Sequence, residues 1–201
     1  MPLLHKKGLL MPQFPFTPLE GRFVRLEPLA PEHRAELETV GSEDAIWRFT
    51  PRGDSIQQYL DTAYAAIKQD NHHPYVVRHL ADNKLAGMTR LFDISTANRG
   101  AEIGSTWYHP DYWAGKTNPE CKLLLLQHAF EVCGLIRVQL KTDFRNKRSQ
   151  AAIAKFGAKY EGTLRNHMVL PDGRFRDSVY FSVLPDEWPM VKQGLEARVN
   201  A

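Results

Sequence analysis

Cysteine is scarce: the chain of 201 residues has two, Cys121 and Cys133. Neither has metal-ligand spacing around it, so no metal is expected. Both fall in one expected helix, about 18 Å apart along its axis, too far to bridge. A reducing cytoplasm is the easiest home for such a chain. Long apolar runs are missing too. Leu123 to Leu126 is the longest aliphatic block, far below the roughly 18 residues of a membrane span. Nor is charge of one sign in excess. Twenty-six Lys plus Arg against 23 Asp plus Glu leave +3. That disfavours a nucleic-acid binder, as does the lack of an aromatic-basic repeat, yet it suits a small anionic cofactor. Hydrophobic residues at 43% and charged residues at 24% exclude global disorder and a fibrous chain.

Met1 to Pro18 is a poor signal peptide. Its apolar patch, Leu9 to Met11, is short, and Pro12, Pro15 and Pro18 interrupt it. The segment 1–18 is expected to be an extended arm, and the length of the remainder, 19–201, suits one domain. Phe23 to Glu27 reads as a strand ended by Pro28. Pro31 opens a short helix to about Val40, and Ser42 to Phe49 holds another helical turn. Ser55 and Gln58 form a capping-box pattern. Behind them Ile56, Tyr59, Leu60, Ala63, Tyr64 and Ile67 mark an amphipathic helix. Strands come next at Tyr75 to Leu80 and Leu85 to Phe92, turned at Asp82-Asn83. A polar loop, Asp93 to Gly100, leads to a strand at Ala101 to His109.

Asn118, Pro119 and Glu120 read as cap, first helical position and first-turn acid of a helix to Cys133, stopped by Gly134. A strand at Ile136 to Thr142 and a helix at Asn146 to Phe156 come after it. A hairpin, Tyr160 to Val169 and Phe175 to Val183, turns at Pro171-Asp172-Gly173. Asp186 to Val199 closes as a helix. Strand, helix and strand from Ala101 to Thr142 suggest a parallel crossover.

The chemistry concentrates at two strand–helix junctions. His109 to Asn118 ends at a helix start, whose N–H groups lack intrahelical partners and attract anions. Gly115, Lys116, Thr117 and Asn118 are its candidate phosphate contacts, although an ordinary capped turn reads the same. It is not a P-loop, because Pro110 stands where the first glycine belongs. The second junction, Arg145 to Ser149, holds Asn146, Lys147 and Ser149. It is either a solvated cap or a second wall beside the first. Both would open at strand carboxyl ends, where open α/β sheets bind ligands. Trp107, Tyr108, Tyr112 and Trp113 read as packing, although aromatics can also line an acyl or pantetheine tunnel. His72-His73 reads as a solvated loop. Glu102, on the strand before the first junction, is a candidate base.

Four segments then resemble the RimJ/RimL-like branch of the GNAT N-acetyltransferases. They are Leu19 to Leu29, Ala101 to Tyr108, Asn146 to Ala158 with Ser149, and Glu161 to Arg165 with Asp172 to Ser182. The resemblance implies an α/β (α+β) fold: a mixed, mostly antiparallel sheet with a parallel splayed strand pair, flanked by helices. It implies acetyl-CoA as cosubstrate in the splay, with pyrophosphate before the Asn118 helix. The family's Gln/Arg-x-x-Gly-x-Gly/Ala loop is altered here. With Trp113 first, Lys116 replaces the first glycine and Asn118 the last small residue, and Asn118 with Lys122 stands in.

By the same resemblance the cofactor-binding set is Trp107, Gly115, Lys116, Thr117, Asn118, Lys122, Asn146, Lys147 and Ser149. Glu102 is the base, and Tyr180 or Ser149 protonates the thiolate. The implied reaction is direct acetyl transfer to a primary amine in a ternary complex. A succinyl- or other acyl-CoA transferase and a non-catalytic acyl-CoA-binding regulator are the alternatives. The implied partners are acyl-CoA and an amine-bearing acceptor, with a homodimer expected at family level and no membrane.

Overall fold

Continuous buried runs at 73–77 and 85–91 give a sheet covered on both faces at its centre, while the edge strand at 159–169 is largely exposed. The computed structural model describes residues 14–201. Its strands are β1 (Leu19–Glu20), β2 (Val24–Pro28), β3 (His73–His79), β4 (Lys84–Ser95), β5 (Gly100–Tyr108), β6 (Arg137–Asp143), β7 (Lys159–Val169) and β8 (Phe175–Val183). They form one sheet in the order β1-β2-β3-β4-β5-β6-β8-β7. Every neighbouring pair is antiparallel except β5 and β6, which are parallel. The mixed sheet with one parallel pair is therefore as expected.

The helices are α1 (Arg34–Val40), α2 (Asp44–Trp47), α3 (Ile56–Ala66), α4 (Thr117–Gln127), α5 (Lys147–Lys155) and α6 (Trp188–Asn200). One face of the sheet packs on α1–α3 through Leu37, Ile46, Tyr59 and Leu60 against Val76, Met88 and Trp107. The other packs on α4–α6 through Leu125, Leu126, Ile153 and Leu195 against Leu91, Ile103, Val138 and Val179. Strand residues i and i+2 share a face, which is why β4 sends Met88 one way and Leu91 the other.

Of the arm expected over 1–18, residues 1–13 lie outside the described residues. Phe14 and Phe16 pack against the core, and Phe16 stacks on His73 at 4.7 Å. His73 is thus a buried strand residue, and burial pushes its pKa down to about 4. The expected solvated loop at His72-His73 does not form, because Phe16 and Phe92 stack on the two rings. The polar loop expected from Asp93 is shorter than read, since β4 continues to Ser95. Asp93 takes a φ of 51°, a local irregularity that lets Ile94 be buried at 7% exposure.

Ser55 caps α3 by accepting from the Gln58 N–H at 3.1 Å, but the Gln58 side chain accepts from the Asp54 N–H rather than closing the box on Ser55. The helix expected to run to Cys133 is α-helical only to Gln127 and continues as a π-helical turn, His128–Val132. Gly134, at φ 61°, comes after that turn and Gly157, at φ 101°, after α5, both in the left-handed region as read.

Candidate functional site

Main-chain pairing between β5 and β6 stops early. Gly100 pairs with Arg137, Ala101 with Val138 and Glu102 with Gln139, and there the ladder ends. Both strands run on, to Tyr108 and Asp143, so Ile103–Tyr108 and Leu140–Asp143 present unpaired edges to one another. α4 comes after β5 and α5 after β6, so both helix starts stand at the open end. A cavity of about 350 Å³ occupies this fork, lined by Glu102, Thr106, Lys122, Asn146, Ser149 and Arg176 among others.

A bulge on β5 shapes one wall. Met88 pairs with Trp107 and Arg90 with Gly104, so Ser105 and Thr106 together oppose Thr89. Ser105 takes a φ of 48°, a left-handed value seen at one class of bulge and not in a regular strand. The extra residue reverses the facing of the strand beyond it. Thr106 turns toward α4, where its Oγ1 contacts Thr89 Oγ1 at 2.8 Å and accepts from Lys122 Nζ at 2.9 Å. Trp107 turns toward α3 and packs on Trp47 and Tyr59 at 5.2 and 6.2 Å. Its ring is 3% exposed. The Trp107 ring therefore belongs to the core and does not line the fork cavity.

Glu102 stands at the apex of the fork, 1% exposed. Its Oε2 accepts from Gln139 Nε2 at 2.9 Å and from Lys141 Nζ at 3.1 Å. Burial raises its pKa; Lys141 and Gln139 oppose that, and Asp93 adds to it, with a net rise. Oε1 makes no hydrogen bond among the described residues, so one carboxylate oxygen is open for proton transfer. Lys122 is 5% exposed, and burial pushes its pKa down to about 8.

The two helix starts differ. α4 begins at Thr117, after Lys116, and no side chain caps it. Asn118 is thus not the cap: its Oδ1 accepts from the Tyr108 hydroxyl at 3.3 Å. The first-turn donors of α4 are left for another partner. Gly115 has nothing within 4 Å of where a Cβ would stand, and the positive φ of this loop, 59°, is at Ala114. α5 is capped as expected, Asn146 Oδ1 accepting from the Ser149 N–H at 3.0 Å. That leaves the Ser149 hydroxyl, not its amide, for other chemistry. The Arg148 guanidinium lies 4.3 Å over the Trp113 ring and clips the two junctions together.

The fork thus brings together Glu102, Lys122, Asn146 and Ser149. Gly115, Lys116 and Thr117 line a neighbouring cavity of about 810 Å³, between that loop and α1. At the fork the ladder between the two parallel strands is left open on both facing edges. Lys147 is exposed, its Nζ 3.8 Å over the Phe144 ring. The Tyr180 hydroxyl contacts His167 Nε2 at 3.3 Å. Neither lines the fork cavity. Sequence reading missed Lys141, Phe92 and Arg176. Period-two counting back along β8 from Tyr180 would have put Arg176 on its face, but nothing in the sequence placed that face at the fork.

The family described as Acetyltransferase (GNAT) domain matches residues 24–159. The chain belongs to the GNAT acetyltransferase family. A Bacillus subtilis (strain 168) protein, named "Putative ribosomal N-acetyltransferase YdaF", is 33% identical over 178 residues, 81% of this chain and 90% of that one. A GCN5-related N-acetyltransferase from Brucella melitensis superposes with a TM-score of 0.84 at 35% identity, over 95% of this chain and 89% of that one. Mycobacterium smegmatis RimJ, solved with CoA-disulfide, superposes at 0.75 with 21% identity over 90% and 92%. At that identity the likeness speaks for the GNAT fold alone. The expected resemblance to the RimJ/RimL-like branch holds on the family match and the 33% identical relative named as a ribosomal N-acetyltransferase. As a GNAT enzyme the protein is an acyl-CoA-dependent N-acyltransferase. No helix among the described residues is long and apolar enough to cross a membrane.

Proposed function

We propose that the protein transfers an acetyl group from acetyl-CoA to a primary amine by direct attack within a ternary complex, residues 19–201 acting as one unit. The observation that carries this reading is the open fork between β5 and β6, with Glu102 at its apex. Unpaired strand edges fit the amides of pantetheine, which can complete the ladder as a pseudo-strand. The uncapped start of α4, with Gly115 and Lys116 before it, fits a pyrophosphate.

When bound, acetyl-CoA supplies the activated acyl group. The open carboxylate oxygen of Glu102 takes the proton that the amine sheds, directly or through one water. The unpaired N–H groups of Ile103–Tyr108 stabilise negative charge on the carbonyl oxygen. Ser149, in the cavity, is better placed than Tyr180 to pass a proton to the departing thiolate. Neither cysteine suits a covalent route. Burial pushes the Cys121 thiol up to about 12 and the Cys133 thiol up to about 11, so each stays protonated and a poor nucleophile.

Thermal unfolding with acetyl-CoA tests the cofactor. A ligand that binds only the native state adds about 2.7 kcal/mol at a hundredfold excess over its Kd, so Tm should rise. Free-thiol release with a panel of amines tests the transfer. No shift in Tm at millimolar acetyl-CoA would remove the cofactor assignment, and a shift without thiol release would leave a binding module.

A further inference from the structure

The α1–α3 face of β8 carries charge that the acetyl transfer does not use. Val179, Phe181 and Val183 enter the core against α4–α6, so Arg176, Ser178 and Tyr180 face the opposite side. Arg176 is only 7% exposed, and it lines the fork cavity beside Met168 and Phe92. Its Nε is buried with no hydrogen-bond partner. The guanidinium makes no ion pair among the described residues. The two carboxylates of that face are already engaged, Asp143 with Arg174 at 3.2 Å and Glu102 with Lys141 at 3.1 Å. A buried guanidinium left without an acceptor is strongly unfavourable. Its planar fork of donors matches a carboxylate, which it can hold by two parallel bonds.

Position decides which substrate would bring that carboxylate. Arg176 lines the fork cavity with Glu102 and Lys141. Gly115, Lys116 and Thr117, the pyrophosphate loop of the proposed function, line the other cavity, against α1, and not the fork. We propose that Arg176 is a specificity residue that binds a carboxylate carried by the amine acceptor, so that the acceptors are carboxylated primary amines and not polyamines. The proposal rests on the acetyltransferase reading of the fork. The cavity lining carries Lys122, Lys141 and Arg176 against Glu102 and Asp143, one formal positive charge in excess, so a second ammonium on the acceptor gains no partner at Arg176. A carboxylate there would be held while the amine reaches Glu102.

The test compares 4-aminobutyrate and 5-aminopentanoate with butylamine and spermidine, using the full chain and acetyl-CoA. A charge-assisted bidentate contact should raise kcat/KM for the carboxylated amines at least about tenfold over butylamine. In Arg176→Gln that ratio should collapse toward one, and in Arg176→Lys part of it should remain. Glutarate, with and without acetyl-CoA present, should raise the Tm of the wild type and not of Arg176→Gln. The Tm of ligand-free Arg176→Gln should not fall, since an unpaired buried charge has been removed.

Equal use of butylamine or spermidine, with no effect of glutarate on Tm, overturns the proposal. A variant that loses all amines alike and melts lower makes Arg176 structural and overturns it too. Faster transfer from succinyl-CoA than from acetyl-CoA to butylamine, lost in Arg176→Gln, would put the carboxylate on the acyl group instead. If acetyl-CoA gives no stabilisation, the acetyltransferase reading fails, while the glutarate shift still decides the carboxylate site by itself.

Discussion

Burial and ion pairing act on Glu102 in opposite senses, and burial prevails. Its ionised, proton-accepting form therefore fills at higher pH than that of an ordinary carboxylate. kcat/KM should show an acid limb above the usual carboxylate range. Glu102→Gln should abolish that limb and lower kcat by about 10² to 10⁴; an unaltered pH profile would remove Glu102 as the base. Lys122 is the complementary case. Its folded pKa of about 8 lies below the ordinary lysine value of 10.5. Between those two values the unfolded chain binds more protons, so stability rises with pH across that window. Lys122→Met should flatten this rise. At pH 7 it should also gain stability, by up to about 3 kcal/mol less the lost Thr106 hydrogen bond. Urea unfolding at pH 7 and pH 10 reads both effects, and an identical slope in the two proteins would mean that Lys122 keeps its ordinary pKa.

At the scale of elements, one side chain ties the start of β2 to α4. Glu120 is buried, and no cation pairs with it among the described residues. Its carboxylate accepts instead from the main-chain N–H groups of Arg22, Phe23 and Val24 at 2.8, 2.7 and 2.7 Å. Gly21 makes room for it, since a Cβ there would lie 2.5 Å from the carboxyl carbon. Glu120→Ala leaves three buried or half-buried donors unmet, at a cost on the order of 3 kcal/mol. For a chain of this size that lowers Tm by roughly 6 to 12 °C, and a change within a degree would show the strap to be idle. The sequence marked Glu120 only as a first-turn acid. Its partners, nearly a hundred residues away, could not be read from local spacing. The same is true of the bulge at Ser105. No residue pattern announces it, yet it decides that Thr106 joins the cavity while Trp107 joins the core.

For the whole molecule, the sheet separates two helical layers, α1–α3 and α4–α6, and the fork is a gap through it. Glu102, Lys141 and Arg176 open it on the first side, while Lys122, on α4, closes it on the second. A cosubstrate that starts at α4 and an acceptor that enters from the α1–α3 side can be present together, so initial-rate lines should intersect. Cys121→Ser with Cys133→Ser should keep the rate, apart from a modest loss of stability in the core. Parallel lines with an acetylated cysteine in the intact mass would point to a covalent intermediate. Local sequence was enough for the order of the elements from β2 onward, the caps at Ser55 and Asn146, the glycines at Gly134 and Gly157, the parallel crossover and the family. Each of these depends on neighbours a few residues apart or on the segments that carry the resemblance. It takes the folded chain to bring Glu102, Lys122, Ser149 and Arg176 into one cavity, to keep the Trp107 ring out of it, and to leave Arg176 without an ion-pair partner among the described residues. Those outcomes depend on where ladder pairing stops, on a one-residue shift in strand facing, and on which distant charges reach one another first. None of the three has a local signature along the chain.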